Sequence, residues 1–164
     1  TVVGKHCLLM AYSHVAHDCI LGDHVILANT VQLAGHVEVG DYAILGGLSG
    51  ASQFTRIGKH TYIAGHTVIS KDVPPFIKAG RTPISYIGVN SVGLQRRGFS
   101  KEIINEILEI YRNIYYKGLN ITQALEIIEN KLPESVEKTD IITFIKESER
   151  GIIKQFTKEE SDED

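Results

Sequence analysis

The chain has 164 residues, 43% of them hydrophobic, and a formal net charge of −3. That balance argues against bulk nucleic-acid binding. No apolar run reaches the roughly 20 residues that cross a bilayer, and no secretory signal is visible. Two cysteines, Cys7 and Cys19, are too few for a disulfide framework and read as buried thiols of a reducing, cytoplasmic compartment.

A six-residue repeat begins at Val3 and runs to Pro74. Its hexads open on Val3, Leu9, Val15, Leu21, Leu27, Leu33, Val39, Leu45, Ala51, Ile57, Ile63 and Ile69. The second position is small in every hexad but the one with Met10, and the fifth is small or β-branched throughout, from Cys7 to Val73. A helix would repeat near 3.6 and a lone strand at 2, so neither produces this beat. One short strand plus one corner does, and three hexads then close a triangular coil. A second period agrees: Val3-Gly4-Lys5-His6, Leu21-Gly22-Asp23-His24, Val39-Gly40-Asp41-Tyr42 and Ile57-Gly58-Lys59-His60 recur every eighteen residues. Coils stacked about 4.8 Å apart would bury the openers in one continuous core. The competing architecture is an antiparallel sandwich with accidental spacing. The repeat begins with no methionine and no capping element before it. The expectation is therefore that residues 1–74 are the C-terminal coils of a longer solenoid.

After Pro74 the rhythm stops. Residues 75–99, rich in proline and glycine, read as a loop returning along the solenoid. Residues 100–156 read as a helical domain. Ser100 caps a helix through Ile104, Ile107, Tyr111 and Ile114 to about Gly118. A second helix spans Thr122 to Lys131, and a third Thr139 to about Phe156. The acidic tail, 157–164, reads as disordered.

All seven histidines lie in the first 66 residues. His6, His24, His60 and His66 share the fourth hexad position and read as solvent-exposed corner residues. His14 and His17 depart from that position and His36 closes Leu33-Ala34-Gly35-His36; a separation of nineteen, one coil plus one residue, puts His17 and His36 on neighbouring coils or across a subunit boundary. Three readings of this trio stay open. Imidazole titrates near neutrality and can act as a general base. Three converging nitrogens could hold zinc. Or the residues are structural.

At these residues the chain resembles a known family. Ser13-His14-Val15-Ala16-His17-Asp18-Cys19, Leu33-Ala34-Gly35-His36-Val37, Asp72-Val73-Pro74-Pro75 and Gly93-Leu94-Gln95-Arg96-Arg97-Gly98-Phe99-Ser100 together resemble the UDP-N-acetylglucosamine O-acyltransferases of lipid A synthesis. The resemblance implies a left-handed parallel β-helix with C-terminal helices, a homotrimer, no metal, and no cofactor beyond the phosphopantetheine arm of acyl carrier protein. It implies that His17 is the general base for a sugar 3-hydroxyl, that Asp18 orients it, and that the Gly35 N–H stabilises the oxyanion. His14, His36, Gln53 and Asn90 match substrate-contacting positions, and Arg96 and Arg97 match phosphate-contacting ones. Gly65 matches the position limiting acyl length, and a glycine there implies a long 3-hydroxyacyl chain. Ser52 and Val92 depart from the family pattern, where histidine and an acidic residue are common. A further acidic ligand is implied on earlier coils, so these residues alone do not make the whole site. The rival enzymes are an N-acyltransferase acting on a glucosamine amine and a zinc lyase of the carbonic anhydrase type. The remaining alternative is a non-catalytic scaffold.

Overall fold

Each hexad supplies one two-residue strand and one corner. In the computed structural model, which describes residues 1–157, the strands are Val2–Val3 (β1), Leu8–Leu9 (β2), His14–Val15 (β3), Ile20–Leu21 (β4), Ile26–Leu27 (β5), Gln32–Leu33 (β6), Glu38–Val39 (β7), Ile44–Leu45 (β8), Gly50–Ala51 (β9), Arg56–Ile57 (β10), Tyr62–Ile63 (β11) and Val68–Ile69 (β12). Strands three apart pair in parallel, as in Val3 with Leu21 and Leu21 with Val39. Three faces result: β1-β4-β7-β10, β2-β5-β8-β11 and β3-β6-β9-β12. This is the parallel solenoid that the period of six predicts. Openers from Leu21 to Ile69 are buried along its axis, whereas Val3 and Leu9, in the first coil described, are exposed.

The corners follow a rule the hexad pattern does not announce. The fourth residue of eleven consecutive hexads, from His6 to His66, is non-glycine and has φ between 55 and 65°. That conformation costs an L-residue about 1–2 kcal/mol. It is stabilised by a ladder in which each fourth-position N–H donates to the third-position carbonyl of the preceding coil. On one edge His24, Tyr42 and His60 donate to Lys5, Asp23 and Asp41 at 2.8–2.9 Å. On the second, Thr30, Leu48 and His66 donate to Ala11, Asn29 and Gly47. On the third, His36 donates to the His17 carbonyl at 3.0 Å and Phe54 to that of Gly35 at 3.2 Å. Small second positions have a steric cause: a Cβ on Gly58 would stand 2.4 Å from the Pro75 nitrogen.

Corner histidines are not uniformly exposed as expected. His6, His24, Tyr42, His60 and Phe76 stack into one column with ring centroids 4.6–5.7 Å apart. His60, near its end, is 9% exposed and meets Phe99 edge-on. His6 and His66 remain open.

Residues 75–99 are not a returning loop. Ile77–Gly80 (β13) adds in parallel to β11, and Ser85–Val89 (β14) folds back antiparallel on β13. A short helix, Ser91–Arg96 (α1), follows. Solenoid pairing thus continues past Pro74, because the Ile77 and Ala79 side chains fill the core where another coil's openers would. Lys101–Tyr115 (α2) starts at the Ser100 cap, whose side chain accepts from the Ile103 N–H. Ile121–Lys131 (α3) opens on a capping box between Asn120 and Gln123. The third long helix is Val136–Lys146 (α4), capped by Ser135, not the expected 139–156. The helix ends at Lys146 with Glu147 as its C-cap; beyond Gly151, at φ 80°, Ile152 bridges Asp72 in parallel and the Ile153 N–H donates to the Asp72 carbonyl. Lys154–Gln155 (β15) then pairs with β14. The buried Tyr111 hydroxyl donates to the Pro75 carbonyl, seating α2 on the solenoid. The acidic tail expected beyond Thr157 lies outside the described residues.

Candidate active site

The edge between the β3 and β4 faces brings chemistry-bearing side chains together. His17 and Asp18 are neighbours in sequence, and in a straight strand they would point to opposite faces. The corner at Asp18, φ 58°, turns its carboxylate back, so that Asp18 Oδ2 lies 2.8 Å from His17 Nδ1. The hydrogen bond from His17, with charge from His36 and His17 adding to it, holds the Asp18 carboxyl below its ordinary pKa. Asp18 is therefore an acceptor, and His17 Nδ1–H is the donor. The other ring nitrogen, Nε2, is left as the basic one and lies over Gly35, where a Cβ would come within 2.7 Å of it.

His36 occupies the next coil. Its Nε2 is 3.6 Å from Asp18 Oδ2, and its ring meets that of His17 edge-on at 5.2 Å. Of the two placements left open by sequence, neighbouring coils of one chain is the one observed. Phe54 stacks beneath His36 at 4.6 Å and 15°. The column Asp18, His36, Phe54 follows the eighteen-residue period, which could have singled out Phe54. Gln53 completes the neighbouring column: a Cβ on Gly35 would lie 3.1 Å from its Nε2. The Gly35 N–H donates to no protein acceptor among the described residues, because the ladder uses the His36 N–H.

Two depressions flank this edge. A groove of about 650 Å³ is lined by Asp18, His36, Phe54, Arg56, Glu147 and Arg150. A shallower one of about 340 Å³ lies on the β3 face, against His14, Gln32, Gly50, Ser52 and Val68. His14 thus sits beside the corner and not in it. Among the described residues, the ligand-spaced cluster is His17, Asp18 and His36, with donor atoms within 4.8 Å of one another. The triad of His14, His17 and His36 considered from sequence is not assembled. Gly65 lies at the far edge of the same face, exposed, stacked on Gly47.

Asn90, Arg96 and Arg97 stand elsewhere. Asn90 is buried, and its Nδ2 donates to the His60 carbonyl at 3.0 Å. Arg97 lies over the Tyr42 ring at 5.5 Å and donates to His60 Nδ1 at 3.4 Å, while Arg96 is exposed. Tyr42 and His60 mark the edge between the β7 and β8 faces, so one chain does not bring these three residues to His17. Val92 is exposed on α1. Sequence reasoning gave no role to Phe54 or Arg150.

His60 gives this second cluster a pH signature. Burial first, then Arg97 and Lys59, lower its pKa to about 4, so it stays neutral and accepts from Arg97. An unfolded histidine takes up its proton near 6.5. The neutral ring's contribution to stability is therefore present above about pH 6.5 and is lost as pH falls toward about 4. His60→Phe, which keeps the stack without the titration, is expected to lose less thermal stability than the parent between those values. Melting curves across that range check it, and parallel losses in the two proteins would contradict it.

The profile described as UDP N-acetylglucosamine O-acyltransferase, domain 2, matches residues 72–153, and that of the bacterial transferase hexapeptide matches residues 1–35. An acyl-(acyl carrier protein)–UDP-N-acetylglucosamine O-acyltransferase from Thiobacillus denitrificans is 41% identical over 154 residues, covering 94% of this chain and 60% of the relative. Its counterpart from Halorhodospira halophila is 44% identical over 155 residues, with the same two coverages. Among solved structures, a UDP-N-acetylglucosamine acyltransferase from Bacteroides fragilis superposes with a TM-score of 0.89 at 47% identity, covering 90% of this chain and 58% of that one. That from Francisella novicida gives 0.91 at 40%, covering 94% and 57%. The chain spans about 60% of the length of the curated relatives it matches.

Proposed function

The chain belongs to the UDP-N-acetylglucosamine O-acyltransferase family, and on that premise we propose that the intact protein transfers a long 3-hydroxyacyl chain from acyl carrier protein to the 3-hydroxyl of UDP-N-acetylglucosamine, the opening step of lipid A synthesis. The observation that carries the reading is the His17–Asp18 pair, with the free imidazole nitrogen over Gly35. His17 Nε2 takes the hydroxyl proton, and the sugar oxygen attacks the thioester carbonyl. The Gly35 N–H donates to the resulting oxyanion. The C–S bond then breaks, and the departing thiolate takes the proton from the imidazolium. Asp18 holds the ring in the tautomer this needs and stabilises its charged form. Every step uses side chains and backbone of the protein, with no cofactor of its own.

The split between two solenoid edges supports a homotrimer, in which Asn90, Arg96 and Arg97 of one subunit face His17 of the next. His14, His36 and Gln53 would contact the sugar and acyl groups, and Gly65 would leave the far end of the acyl groove open. No described helix is long and apolar enough to cross a membrane, in keeping with a cytoplasmic enzyme. Membership of the O-acyltransferase family favours oxygen over an amine as the acceptor. The test is mass spectrometry of products formed by the intact protein from UDP-N-acetylglucosamine and a ladder of 3-hydroxyacyl carrier proteins. An O-acylated product, formed best from the longer chains, is expected. No product from any of them, or acylation confined to an amino-sugar acceptor, would overturn the proposal.

A further inference from the structure

The ladder on the His17 edge ends one rung early. His17 O accepts from the His36 N–H, and Gly35 O accepts from the Phe54 N–H. The next rung would run from Asp72 to Gln53 O. Asp72, however, is not among the positive-φ corner residues, and its N–H donates instead to Gly151 O at 3.1 Å. The vacant acceptor is taken by a side chain from the other end of the chain. Arg150 Nη1 donates to Gln53 O at 2.9 Å, and Nη2 donates to Ser70 O at 3.2 Å.

Arg150 is held from both sides. Ser148 Oγ donates to Oδ2 of the buried Asp72 at 2.6 Å, and the Ile153 N–H donates to the Asp72 carbonyl at 2.9 Å. The Gln53 carbonyl and the Phe54 N–H belong to one planar peptide group. That group is suspended between Arg150 and Gly35 O. The next peptide group, 35–36, in turn donates to His17 O. A hydrogen-bonded column thus runs from a guanidinium, through two peptide groups, to the backbone of His17. A charged donor at its head makes the strongest bond in the column and polarises those below it.

We propose that Arg150 is a positioning residue for the acyl-transfer corner. It supplies the missing rung, fixes the Gln53 peptide, and thereby sets the Gln53 amide opposite the His17 imidazole across Gly35. The inference rests on the acyl-transfer reading of that corner. Arginine suits the task because its planar fork spans two carbonyls, which a lysine ammonium does not.

The experiment compares Arg150→Ala, Arg150→Lys, Gln53→Ala and the Arg150→Ala/Gln53→Ala double variant in the intact protein, together with backbone hydrogen exchange. Arg150→Ala is expected to raise KM for the nucleotide sugar about tenfold with kcat changed far less, on the scale that small misplacements of binding groups produce. Arg150→Lys should recover less than half of the loss. The double variant should be no worse than Gln53→Ala alone. The Phe54 amide should exchange faster in Arg150→Ala, while those of His60 and Leu48 on the other edges keep their protection. Unchanged KM, losses that multiply in the double variant, or equal loosening of all three edges would each overturn the proposal. A parent protein that transfers no acyl chain would defeat the functional reading instead, and the exchange pattern would still decide the role of Arg150.

Discussion

Replacing His17 by alanine is expected to lower kcat/KM for acyl transfer by about 10²-fold or more, the usual scale for removing a general base, while leaving the fold intact. The imidazole is 66% exposed and its hydrogen-bond partner is the equally open Asp18 carboxylate, so its loss removes little packing. An exposed hydrogen-bonded pair of this kind contributes little to stability. The chemical loss is large because, in the proposed mechanism, the ring has two tasks in sequence. Its Nε2 would accept the proton that otherwise stays on a poorly nucleophilic alcohol, and would return that proton to the leaving thiolate. Steady-state kinetics with saturating acyl carrier protein, alongside a melting curve, check the result. Near-normal turnover by a folded His17→Ala protein would remove the general base from the mechanism.

Gly35→Ala is expected to give a second protein that folds normally and works poorly, with a loss of about 10²-fold. Gly35 is buried, but its backbone lies outside the left-handed region, so alanine brings no backbone strain. What the new methyl meets is the proposed general base and its neighbour. It would stand 2.5 Å from His17 Cε1, 2.7 Å from Nε2 and 3.1 Å from Gln53 Nε2. Both neighbours are exposed side chains that can swing away, so the clash is relieved by displacing the imidazole from the Gly35 N–H. Stability should change by no more than about 1 kcal/mol, as for a surface substitution with room to relax. The contrast is Gly58, where the same methyl would meet backbone atoms of Pro75 at 2.4–2.6 Å and nothing can give way. Kinetics and denaturant melts of Gly35→Ala separate the outcomes, and retention of full activity would show that His17 does not work from this position.

Much of this corner is written in the spacing of residues. Eighteen residues make one coil, so His17, Gly35 and Gln53 must form one column, and Asp18, His36 and Phe54 another. That part was legible because parallel stacking converts sequence distance directly into contact. The His17–Asp18 contact was legible only as a requirement for a corner, and positive φ at Asp18 supplies it. Beyond Pro74 the logic fails for physical reasons. Ile77–Gly80 and Ser85–Val89 form a hairpin, but its proline-rich approach and glycines hide two short strands behind loop chemistry. Ile152 and Ile153 continue a helical spacing on paper, yet the helix has ended at Lys146 and the Asp72 backbone offers the chain hydrogen-bond partners on both sides of Ile152. Arg150 was invisible because its function lies in a backbone carbonyl nearly a hundred residues earlier. Asn90, Arg96 and Arg97 sit on another edge, a separation that no spacing rule reveals.

The pH dependence of kcat/KM for the intact protein bears most directly on the claim that a free imidazole at residue 17 drives the reaction. The account predicts an acid limb with a slope of one, as a single group must lose its proton before the sugar hydroxyl can be activated. It also predicts that this limb vanishes from the small residual rate of His17→Ala. An acid limb unchanged by that substitution would contradict it.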